Sequence, residues 1–61
     1  MRVNFYFNIG DTKTIKLFVD AEDEDKALEE VMTAAEDDTF ALYIRGDFIA
    51  LKSDITGYGL A

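Results

Sequence analysis

Residues 1–9 place Met1, Val3, Phe5, Phe7 and Ile9 at odd positions and Arg2, Asn4, Tyr6 and Asn8 at even ones. Successive side chains of an extended strand point to opposite sides, so this strict period of two marks a strand with one buried face and one wet face. Residues 14–20 repeat the pattern, with Ile15, Leu17 and Val19 odd and Thr14, Lys16, Phe18 and Asp20 even. Gly10-Asp11-Thr12 between them supplies turn chemistry, and the pair reads as an antiparallel hairpin over about 2–9 and 14–20. Directly opposed residues share a face, so odd must oppose odd. A two-residue Gly10-Asp11 turn would set Ile9 opposite Thr12 and is excluded. What remains is a three-residue loop with Phe7 facing Ile15, or a five-residue loop with Ile9 facing Ile15.

The period then changes. Ala27, Leu28, Val31, Met32 and Ala35 follow the i, i+3, i+4, i+7 spacing of a core-facing helical stripe, which predicts a helix over about 24–37. Asp23 is the expected N-cap, with Asp20 the alternative, and Glu24 and Asp25 sit in the first turn where the helix dipole favours them.

Period two returns at 39–45, with Phe40, Leu42 and Ile44 inward and Ala41, Tyr43 and Arg45 outward. Gly46-Asp47 suits a two-residue type II′ turn into a strand at 48–52. That register opposes Ile44 to Ile49 and Leu42 to Leu51 inside, and Arg45 to Phe48 and Tyr43 to Ala50 outside. Lys52-Ser53-Asp54-Ile55 reads as a tight turn. A short fifth strand at 56–60 is open, because Gly57 and Gly59 weigh against it. The expected fold is α+β, in the order ββαββ(β): a two-layer domain over 1–61 with one antiparallel sheet of four or five strands and the helix on one face.

The residue inventory excludes much chemistry. There is no histidine or cysteine, hence no common general base, thiolate, disulfide or zinc ligand set. The one serine, Ser53, has no base to activate it. The expectation is a non-enzyme with no catalytic residues, no metal and no cofactor. No apolar run reaches the roughly 18 residues of a membrane span, and the N-terminal alternation is unlike a signal peptide, so a cytoplasmic protein is expected.

Charge is divided unevenly. Residues 20–38 carry ten acids and a single base, Lys26, for −9, while the remainder carries three acids and five bases, for +2. Glu22, Asp25, Glu29, Glu30, Glu36 and Asp37 should project from the helix away from the core. Close like charges cost a helix a few tenths of a kcal/mol per pair, and a helix selected only for solubility would mix in lysines. These six are therefore the candidate partner-binding face, complementary to a protein with a basic surface, including a groove that normally holds a nucleic-acid backbone. Tyr6, Lys16, Phe18, Tyr43, Arg45 and Phe48 fall on the opposite sheet face. They are candidates for self-association, supplying burial that 61 residues lack, with a homodimer as the expected product. The competing reading of this face, stacking of single-stranded nucleic acid, is disfavoured by five scattered bases and a −9 helix.

Short motifs add little. Asp20-Ala21-Glu22-Asp23-Glu24-Asp25 lacks the sixth-position glycine of a calcium loop. Glu24-Asp25-Lys26 matches a nuclease-like E-x-K on a helix start where a strand is needed. Arg45-Gly46-Asp47 is explained by its turn, and Thr56-Gly57-Tyr58-Gly59 has no membrane helices around it. In its profile, tiny, acidic, free of cysteine and histidine, with one helix on a hairpin-built sheet, the chain resembles small phage-encoded accessory proteins. These include inhibitors of host defence or DNA-handling enzymes, some of which mimic DNA charge. That resemblance implies a viral inhibitor acting in the host cytoplasm.

Overall fold

The first hairpin adopts the shorter of the two loops that parity allows. In the computed structural model, which describes all 61 residues, β1 (Arg2–Ile9) pairs antiparallel with β2 (Lys13–Asp20), setting Phe7 opposite Ile15 and Ile9 opposite Lys13. Gly10, Asp11 and Thr12 form the loop, with Gly10 at φ 58°, a left-handed conformation that glycine adopts without steric cost. Val3, Phe5 and Phe7 are buried on the odd face of β1, and Ile15 is buried beside them on β2.

The fifth strand exists and completes this sheet. β5 (Ile55–Leu60) lies antiparallel on the other side of β1, opposing Tyr58 to Phe7 and Gly59 to Tyr6, so the strand order is β2-β1-β5. One of the two glycines that argued against a strand, Gly59, is what lets it dock. A Cβ on Gly59 would come within 3.0 Å of the Tyr6 ring, so only a residue without a side chain lets that ring lie across β5. On the other face, the Tyr58 ring stacks on Phe7 at 6.0 Å between centroids.

Helix α1 (Glu24–Ala35) starts where expected. Asp23 is the N-cap, its Oδ1 accepting the Lys26 amide at 2.8 Å, while Asp20 remains in β2. The helix ends two residues earlier than the acidic run suggests. The Asp37 carboxylate accepts both the backbone N–H (2.8 Å) and the hydroxyl (2.7 Å) of Thr39, turning the chain out of the helix. Ala27 and Val31 are buried against Val3, Phe5, Phe7 and Leu42. Leu28 and Ala35 are half-buried, but Met32 is 49% exposed and lies outside the core stripe to which its spacing assigned it.

The second hairpin departs from expectation. β3 (Ala41–Ile44) and β4 (Asp47–Leu51) turn on Arg45-Gly46, at φ 53° and 82°, not on Gly46-Asp47. Two positive φ values make this a type I′ turn, whose twist suits the flanking strands. Moving the turn by one residue shifts every pairing by two positions, which by itself keeps the predicted faces. A β-bulge between the Tyr43–Phe48 and Leu42–Ala50 pairs, with Ile49 as the extra residue, then reverses the faces of the residues beyond it. The predicted pairs therefore fail. Ile44 opposes Asp47, Tyr43 opposes Phe48, and Leu42 opposes Ala50. Ala50, expected outside, is 2% exposed, and Leu51, expected inside, is 50% exposed.

The architecture is α+β with one helix and five strands, but the strands form two antiparallel sheets of three and two in place of one. No backbone hydrogen bond joins β3 to β2. The hairpin is instead held at its base, where the Lys52 amide donates to the Phe40 carbonyl at 2.9 Å, and by the 3-10 turn Lys52–Asp54 that leads into β5.

Candidate interaction surfaces

With Ala27 and Val31 pointing inward, helical geometry turns Asp25, Glu29 and Glu36 to the opposite side. Glu30 stands on the flank facing β3. Glu22 precedes the N-cap and Asp37 follows the last turn, so these two of the six do not project from the helix itself. All six carboxylates are exposed. Neutralisation is slight: Lys26 Nζ is 4.0 Å from Glu29, and no basic residue occupies the last turn. Asp37 differs from the rest. The two hydrogen bonds from Thr39 hold its carboxyl below the ordinary 3.8, which ties it to the turn and leaves it less available to a partner.

Lys52 is a functional neighbour that charge counting alone missed. Its Nζ donates to the Glu36 carbonyl (3.3 Å) and to Asp38 (3.4 Å), placing one cation at the negative end of the helix where Glu36, Asp37 and Asp38 crowd. Its position one residue after β4 carried no signal of this, because the contact depends on how the hairpin folds back. Met32 is the second miss. It lies one helical turn from both Glu29 and Glu36, on the edge of the carboxylate face. A helical projection finds it, since Met32 is rotated by about 100° from Val31.

The second set of candidates comes together across two sheets. Lys16, Phe18, Tyr43 and Arg45 line one shallow groove between β2 and β3. Tyr43 meets Phe48 edge-on at 6.0 Å, and Tyr6 is the cross-strand neighbour of Lys16. As a stacking platform for bases this face is poor. Arg2 covers one side of the Phe18 ring at 3.9 Å, and the Tyr6 ring lies against Gly59.

Beside the groove, toward the helix, lies an apolar cleft of about 320 Å³, with Leu17 and Val19 on one wall, Val31 and Ala34 on the helix side and Phe40 and Leu42 opposite. Glu30 is its one charged lining residue. No group of three or more acidic side chains is arranged to hold a metal ion. No helix is long and apolar enough to cross a membrane. No protein family, curated protein or solved structure matches the chain.

Proposed function

We propose that the protein is a small, acidic, non-enzymatic interaction module whose helix face docks on a basic protein surface. The observation that carries this reading is Met32, 49% exposed in the middle of the helix and bordered by Glu29 and Glu36. An exposed apolar side chain flanked on one side by carboxylates has the composition of an interface anchor beside a charged rim. The carboxylates would steer the encounter and set the register, and Met32 would supply the contact that water cannot replace. The matching partner surface is an apolar socket rimmed by arginine or lysine, as found on proteins that handle nucleic acids. The role of inhibitor or accessory protein, viral origin and cytoplasmic location belong to this same reading.

Crosslinking in the native cell followed by mass spectrometry would identify the partner, and binding would then be measured with both purified proteins. Glu29→Lys with Glu36→Lys should weaken binding at least a hundredfold and flatten its salt dependence. Met32→Asp should weaken it about tenfold or more while leaving the salt dependence in place. Binding that survives both changes would remove the helix face from consideration.

A further inference from the structure

We propose that a second copy of the chain pairs with the first along β2, edge to edge and antiparallel about a two-fold axis at Phe18, a surface independent of the helix face. The Met1–Ala21 exchange of hydrogen bonds fixes which backbone groups of β2 face β1, namely those of the odd residues. The N–H and C=O groups of Thr14, Lys16, Phe18 and Asp20 therefore point the other way, and no backbone partner meets them. An eight-residue strand with an open edge is a template for another strand.

The sequence of this edge is complementary to itself. Antiparallel pairing centred on Phe18 sets Phe18 beside its copy, and Lys16 beside Asp20 on both sides of the axis. On the other face it sets Leu17 beside Val19, again twice. Every close cross-strand pair is then opposite in charge, aromatic on aromatic, or aliphatic on aliphatic, the combinations that stabilise a sheet. Closing β3 onto β2 within one chain is the alternative, and it is the poorer one: across the shared groove it would bring Lys16 beside Arg45. Leu17 and Val19 of the incoming strand would instead project over the apolar cleft that these same residues wall. The monomer has surface to spare. It exposes 4419 Å², against about 4,000 Å² for an average folded chain of this mass.

Sedimentation and concentration-dependent hydrogen exchange test the pairing and its register together. The wild type should sediment as a reversible dimer. The amides of Lys16, Phe18 and Asp20 should gain at least tenfold protection as concentration rises. Asp20→Lys and Lys16→Asp should each raise the dimer dissociation constant at least tenfold, because each places like charges together twice. The combined exchange, Lys16→Asp with Asp20→Lys, should restore the dimer. A wild type that stays monomeric at millimolar concentration overturns the proposal. So does a dimer indifferent to the single reversals, or a folded double variant, verified by circular dichroism, that remains monomeric.

Discussion

Phe5 is the one large side chain with no exposed surface, held at the centre of the three-stranded sheet between Leu17 on β2 and Leu60 on β5. A chain of this length has a total stability of about 3–9 kcal/mol at the usual 0.05–0.15 kcal/mol per residue. Truncating a buried phenylalanine to alanine costs about 3–5 kcal/mol, so Phe5→Ala should leave little folded protein. The graded change is more informative. Phe5→Leu keeps most of the volume and should cost about 1–1.5 kcal/mol. With an unfolding entropy of about 2.1 cal/mol/K per residue, each kcal/mol is about 8 °C, so the midpoint should fall by roughly 10 °C. The matched control is Phe48→Leu, at an exposed position on β4, which should change stability by no more than about 0.5 kcal/mol. Both are read from thermal and urea unfolding followed by far-ultraviolet circular dichroism at low micromolar concentration. Equal losses at the two positions would refute the assignment of the odd face of β1 as the core.

Arg45 holds φ 53° in the second hairpin turn, which costs a side-chain-bearing residue about 1–2 kcal/mol. Arg45→Asn creates the Asn-Gly pair that type I′ turns prefer and should raise the unfolding midpoint by several degrees; a lower midpoint would speak for a different turn. The Asp37 carboxyl is lowered by hydrogen bonds from Thr39, so its contribution is present above about pH 4 and is lost as pH falls through the lowered value. Carboxylate titration by NMR should place the Asp37 midpoint below the ordinary 3.8, and Thr39→Val should move it upward; coincident midpoints in the two proteins would refute the role of the hydroxyl.

Alternation made the first hairpin legible down to the parity of its register, leaving two allowed loops, because a strand with one wet face tolerates no one-residue slip. The helix start was equally plain, since an N-cap aspartate acts within three residues of itself. What escaped depended on groups distant in sequence. Gly57 and Gly59 read as strand breakers, and only Tyr6, some fifty positions away, explains Gly59 by the ring that needs its space. The second hairpin misled because glycine fits either central position of a two-residue turn. Choosing between them rested on Arg45 accepting a left-handed backbone and on a bulge at Ile49, neither of which leaves a pattern of period two. The same bulge explains why Ala50, a small residue with no distinctive signal, is buried while Leu51 is not. Of the two candidate surfaces, the carboxylate face was visible as composition. The exposed Met32 at its edge was missed because its spacing suits both the core stripe and the border of that stripe, which a helical projection separates.

The sheet places its earliest strand between the second and the last, with the Ala61 amide donating to the Asn4 carbonyl at 3.0 Å. During synthesis the opening hairpin can form at once, yet one flank of its inner strand stays unsatisfied until β5 has left the ribosome. Over that interval the nascent chain carries Phe5 and Phe7 half-covered, and closing some fifty residues of intervening chain becomes the slow event in its maturation. Deleting the six residues of β5 should therefore yield aggregates in place of a smaller soluble fold.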